Sequence, residues 1–262
     1  MMKRWLKNTL WIVFFILVGV MMSFVDNSHD ERIVGVPLVN IEVYEDMVFL
    51  TQDDIVQRLK DRNLVGDDKT YTLLELEKIE QVLNEMPEIK SAEVYSFLGG
   101  EWQIDVVLRR PIARIFNQNG SSCYLDNDGT LMPLSTNYTA HVLTVDGYIN
   151  EEDYSKNVND IINNDSLKTI EILDDLYAIS NYVCLDKSLS AQITHIHINE
   201  YKEFELIPRV GDQRIMFGKA ELIAGKFKKL EYFYSEGINR VGWENYDTIN
   251  IMYKSQVVCS KR

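Results

Sequence analysis

Cysteine is scarce in this chain. Cys123, Cys184 and Cys259 are the only ones in 262 residues, too few and too scattered for a disulfide framework, and an odd number leaves one over. Small semi-buried thiols without a role account for them. Histidine is as rare, with four, and the chain has neither a G-x-S-x-G turn nor a Cys–His pattern of a known kind. A hydrolase or transferase needs a nucleophile, a base and a stabiliser that converge, and the sequence marks no such set. Positive charge is also short: 27 Lys and Arg against 40 Asp and Glu give a net charge of −13. Phosphate recognition needs clustered bases, so the composition argues against a nucleic-acid partner.

What is present starts with an apolar run, residues 10–25, that contains no charged residue. Counted from Leu6 it reaches about 20 residues, the length of a helix that crosses a hydrocarbon core. Lys3, Arg4 and Lys7 precede it and Asp26, Asp30 and Glu31 follow. Positive charge is retained on the cytoplasmic side, so the run reads as a single anchor with residues 1–9 inside and the rest exported. A cleaved signal would carry a shorter apolar region and a small-residue cleavage site, and neither fits. A buried core helix would show a polar face, which Trp11 to Val18 lacks. With the three anchor-flanking bases set apart, the exported part carries about −16, which favours solubility and repulsion from anionic lipid.

After a linker at 26–37, residues 38–44 alternate Val39, Ile41 and Val43 with Asn40, Glu42 and Tyr44, the pattern of a half-buried strand. Thr51 and Asp54 form a capping pair ahead of Ile55, Val56 and Leu59. Thr72 and Glu75 form a T-x-x-E box, and Leu76, Ile79, Val82, Leu83 and Met86 then share one helical face until Pro87 stops it. Strands at 89–97 and 102–109 follow, joined by Gly99-Gly100. Downstream the chain reads as a mainly antiparallel β domain with flanking helices. Its strand candidates are 112–116, 122–125, 130–134, 141–145, 192–199, 204–207 and 214–217. An exposed acidic connection is expected at 151–165. A helix begins at Ser166 with Leu167, Ile170, Leu173, Leu176 and Tyr177 on its face. Another falls within 218–234, with Leu222, Ile223, Phe227, Leu230 and Phe233 inward and Lys226, Lys228 and Lys229 outward. The last strand is expected at 248–253, continuing at 256–259.

The β-α-α-β-β order directly after a single anchor resembles a POTRA module. The stretch Arg109-Arg110-Pro111-Ile112-Ala113 is similar to the joint that ends this module in the FtsQ/DivIB family of bacterial division proteins. Tyr124-Leu125-Asp126-Asn127-Asp128-Gly129 resembles that family's Tyr-Leu-Asp-x-x-Gly hairpin, and Gly218, Lys226 and Leu230 match its C-terminal helix. The chain departs from the pattern at Glu45, where POTRA strands usually end in Gly, and at Met252, where the family has Arg before Tyr253. The resemblance implies an α+β protein with an anchor at 10–25, a POTRA-like domain at 38–110 and a β domain at 111–262. It also implies a non-catalytic divisome scaffold at the septum of the inner membrane, linking FtsB-like and FtsL-like proteins to septal peptidoglycan synthesis. Other divisome components would dock on the POTRA domain. The FtsB-like partner would add a strand at Tyr253, Ser255, Gln256, Val257 and Val258. Two other readings stand beside it: a POTRA-bearing chaperone or translocation factor that binds client strands at 39–44 or 89–97, and an envelope enzyme with a pocket in 112–262.

No cofactor or metal is expected. Asp126-x-Asp128-Gly129 lacks the spaced oxygen ligands of a calcium loop and reads as a turn. His195-x-His197 could offer two imidazoles to a metal from one strand face. No third ligand is marked nearby, and Ile196 and Ile198 explain the pattern as an amphipathic strand.

Overall fold

A computed structural model describes residues 10–21, 35–66, 74–97, 101–154, 157–164, 167, 172–237, 242 and 245–262. Helix α1 occupies residues 10–21, and its apolar side chains are exposed almost all round. No helix among the described residues is long and apolar enough to cross a membrane. The anchor expected at 10–25 extends into residues outside the described ones, as does its basic flank. The described chain forms two compact units, Met1–Glu42 with Leu50–Leu108 and Val43–Phe49 with Arg109–Arg262.

The first unit is a three-stranded sheet in the order β1-β3-β2 with two helices: β1 Leu38–Glu42, α2 Gln52–Asp61, α3 Leu76–Asn84, β2 Ile89–Ser96 and β3 Trp102–Leu108. Central β3 runs parallel to β1 and antiparallel to β2. It turns Trp102, Ile104, Val106 and Leu108 into the core, where Ile55 and Leu59 of α2 and Ile79 and Leu83 of α3 are also buried. Burial of each large apolar side chain contributes about 1.5–3 kcal/mol. The capping pair forms as expected: Thr51 Oγ1 accepts from the Asp54 N–H, and the Asp54 carboxylate accepts from the Thr51 N–H at 2.8 Å. Thr72 of the second box lies outside the described residues. Helix α3 begins after Glu75 without a side-chain cap.

The second unit carries a nine-stranded sheet in the order β12-β11-β10-β9-β8-β7-β4-β5-β6. Its strands are β4 Pro111–Phe116, β5 Ser122–Asp126, β6 Leu131–Met132, β7 Leu143–Gly147, β8 Ile193–Ile198, β9 Phe204–Pro208, β10 Arg214–Gly218, β11 Tyr246–Asn250 and β12 Val258–Lys261. The sheet is mixed, with five antiparallel pairings and three parallel ones. β4 pairs with β7, β7 with β8 and β10 with β11 in parallel. The two latter pairs follow from their connections, because parallel neighbours need a long crossover, usually helical. Between β7 and β8 lie α4 Val158–Ile162, α5 Leu173–Leu185 and α6 Lys187–Gln192, and between β10 and β11 lies α7 Ile223–Tyr232 with a π-helical turn, Phe233–Gly237.

Helices cover one face of this sheet. Leu173, Leu176, Ile179 and Val183 of α5 and Phe227 and Leu230 of α7 share one core with Ile196, Ile198, Phe204, Leu206, Ile215 and Phe217. Leu167 is helical and Leu173, Leu176 and Tyr177 of the expected face lie in α5, while Ser166 and Ile170 lie outside the described residues. Three local expectations are corrected. The acidic connection contains α4, capped by the Asn157 side chain and burying Val158 and Ile161. Leu222, expected inward, is exposed at φ +52° just ahead of α7. Lys226 is buried, not outward: its ammonium donates to the Lys219 carbonyl at 2.6 Å and stands over the Phe217 ring, and burial lowers its pKa. Glu45, where POTRA strands usually end in Gly, has φ +52°, so the backbone keeps the left-handed conformation that glycine would adopt without strain.

Candidate functional site

The residues singled out for a partner strand cluster around the end of the chain, with a shifted register. Strand β11 stops at Asn250 and β12 begins at Val258. Val258 alone therefore lies in a strand, while Tyr253, Ser255, Gln256 and Val257 belong to the bend leading into it. Two side chains explain the early end. The Lys229 ammonium donates to the carbonyl of Ile251 at 2.8 Å and to that of Tyr253, pulling the backbone into a turn. Gly218 leaves the room that Met252 fills, since a Cβ there would lie 2.8 Å from Met252 Cγ and Sδ.

The bend borders a groove of about 720 Å³ whose other wall is α7 with its π-turn. Ser255, Gln256 and Val257 face Lys228, Lys229, Tyr232, Phe233 and Glu236 across it. Tyr253 is 51% exposed, Val258 41% and Tyr232 71%, an apolar strip beside unpaired strand edge. Partial burial lowers the Lys229 pKa. The groove residues of α7 were not foreseen as site residues, because helical spacing assigns faces toward the sheet and says nothing of what lies at the helix end.

Among the described residues, the nine-stranded sheet is open at β12. Strand β12 is the outermost strand, antiparallel to β11. At the far edge, two-residue β6 is fully buried; next to it Asn157 bridges Thr130, and the Val158 N–H donates to the Gly129 carbonyl at 2.8 Å. The small sheet of the first unit is also closed along β2. Asn84 accepts from the Ala92 N–H and donates to the Ala92 carbonyl, and the Glu80 carboxylate accepts from the Val94 N–H. On β1 the Val39 carbonyl accepts from Gln52 at 2.7 Å. Unpaired edge groups recruit strands, and side chains placed this way occupy them.

Other sequence candidates resolve into structure. Asp126 is fully buried and accepts from Arg109 at 2.9 Å and from the Asp128 and Thr130 N–H groups at 2.9 and 2.7 Å. Its carboxylate is thus occupied by the hairpin. Burial raises its pKa despite these bonds. The three cysteines are free, and burial with the nearby charge of Glu151 pushes the Cys123 thiol up to about 12, the opposite of an activated nucleophile. His195 and His197 stand on the sheet face away from the helices, and both reach Asp146 of β7, at 3.1 and 2.7 Å.

Comparison with known families bears on both units. Residues 38–107 match a POTRA-like domain, and residues 110–260 match the family described as FtsQ/DivIB, C-terminal related. None of the curated proteins compared with it matches the chain. With more than half of its length matched and an α+β fold of a POTRA-like domain followed by a large mixed sheet, the chain belongs to the FtsQ/DivIB C-terminal related family.

Proposed function

We propose that this protein is a membrane-anchored, non-catalytic scaffold of the division machinery that takes up an extended segment of an FtsB-like partner along β12. Residues 10–25 anchor it in the inner membrane at the septum, with residues 1–9 inside and the domains at 38–110 and 111–262 exported. An FtsL-like protein joins through the same complex, and the POTRA-like domain recruits other divisome components. The observation that carries this reading is the open outer edge of β12 next to the groove against α7. Strand addition supplies main-chain hydrogen bonds for affinity and side-chain pockets for specificity. Tyr253, Ser255, Gln256, Val257 and Val258 form the entry to that edge, with Val257 and Val258 offering apolar contact. The client-chaperone reading is disfavoured by the side chains that occupy β2 and β1. The enzyme reading is disfavoured by the raised Cys123 pKa and the occupied Asp126.

The test is a titration of the protein with extended peptides from the same organism's FtsB-like and FtsL-like proteins. Saturable binding of the FtsB-like peptide is expected, weakened at least tenfold by Val257→Asp or Gln256→Pro with the circular dichroism unchanged. Equal affinity in folded variants would remove β12 and its entry as the site.

A further inference from the structure

We propose that Asp146, His195 and His197 form a binding site for a divalent transition-metal ion, best suited to Zn2+. The site is independent of the β12 edge. The sheet register assembles it: β7 and β8 pair in parallel with Thr144 opposite His195 and Asp146 opposite His197. Alternation along β8 sends Ile196 and Ile198 into the core and leaves both imidazoles on the uncovered face beside Asp146. One ligand atom from each residue lies within 4.8 Å of the others. Asp146 Oδ1 is 2.7 Å from His197 Nδ1 and 3.1 Å from His195 Nε2. Ligands of a tetrahedral Zn2+ at 2.0–2.1 Å stand about 3.3 Å apart, so both Asp146–His distances lie within an ångström of the required spacing. The side chains of His195, His197 and Asp146 are 24%, 43% and 46% exposed, which gives an ion access.

A second observation concerns the orientation of His195. The Thr144 hydroxyl lies 2.8 Å from His195 Nδ1 and also reaches the Thr194 carbonyl at 3.0 Å. It holds the ring through Nδ1 and leaves Nε2 directed at Asp146. A histidine that donates one ring N–H to an outer partner and presents its other nitrogen is the usual metal-ligand arrangement. Two imidazoles and one carboxylate are borderline donors that suit Zn2+, whereas Ca2+ and Mg2+ take oxygen. Three protein ligands leave the fourth position to water. The sequence could not mark this set, because Asp146 and His197 are 51 residues apart.

The test is calorimetric titration of full-length, chelator-treated protein in detergent with ZnCl2, followed by Co2+ absorption spectroscopy. One equivalent should bind with a nitrogen and oxygen ligand spectrum free of thiolate charge transfer. His195→Ala with His197→Ala should abolish this binding, and Thr144→Val, which keeps all three ligands, should weaken it about 10–100-fold. Zn2+ should raise the thermal midpoint of the unmodified protein and not that of the double variant. Absence of stoichiometric binding, a thiolate band, or unchanged affinity in the double variant would overturn the site. Should the double variant not fold, the Thr144→Val affinity and the Co2+ spectrum decide.

Discussion

Cys123 lies in β5 with almost no exposed surface, and its sulfur sits 3.5 Å from the Glu151 carbonyl. Burial and the Glu151 charge hold the thiol protonated until about 12, against an ordinary value of 9.0. The linkage follows in sign. Below 9 the folded and unfolded chains both keep the proton, so Cys123 adds no pH dependence. Between 9 and about 12 the unfolded chain releases it and the folded chain does not. The fold is therefore expected to lose about 1.4 kcal/mol per pH unit from this group. Denaturant titrations at stepped pH should show the unmodified protein losing stability relative to Cys123→Ala above pH 9, with native Cys123 resisting alkylation. A constant difference up to pH 11 would mean that the thiol ionises inside the fold. At this scale the sequence marks residue type and turn chemistry well: Asp128-Gly129 forms its turn with Gly129 at φ +79°, and the Thr51 cap is in place. It does not mark which polar group is buried. Lys226 has the helical spacing of a solvent residue, and only the Lys219 carbonyl and the Phe217 ring, brought from another element, explain its burial.

Elements were more legible than their pairing. Most strands and both helices of the first unit lie within a few residues of the periodicity that announced them, because alternation and 3.6-residue spacing are local signals. Pairing is not local, and parallel partners were missed wherever helices carry the chain from one strand to the next. The β7–β8 pair shows what holds such a match. Gly147 has φ +102°, and a Cβ there would lie 2.1 Å from the Ile198 carbonyl oxygen. That oxygen is already fixed by the Tyr148 N–H at 2.7 Å, so the neighbour cannot withdraw without losing a ladder bond. Gly147→Ala is expected to cost about 1–3 kcal/mol, seen as a lower denaturant midpoint with an unchanged slope. A neutral outcome would show that the end of β7 relaxes freely. The candidate site suffered from the same limit: a strand ending at 253 is what alternation alone supports, and the Lys229 contacts that bend the chain come from a helix more than twenty residues away.

On the scale of the molecule, the four outer strands of the two sheets differ in what faces their free sides. β6 is buried beside Asn157 and α4, β2 has its amides taken by Asn84 and Glu80, and β1 gives a carbonyl to Gln52. β12 ends the nine-stranded sheet, and its first residue, Val258, is exposed. The Arg262 guanidinium pairs with Asp212 at 2.8 Å, a surface contact worth little on its own, so the terminal strand is held chiefly by β11. Amides of such a strand exchange through low-energy local opening, while central strands exchange through global unfolding. Hydrogen exchange on the free protein should therefore find β12 the fastest of the second unit's strands. Adding the FtsB-like segment should slow exchange in β12 and at 255–257 and leave β6, β2 and β1 unchanged, since a new strand protects the edge it completes. Protection at β2 or β1 instead would move partner binding to the POTRA-like unit and favour the client-binding reading. Protection spread over both sheets would mean that the partner stabilises the molecule without adding a strand.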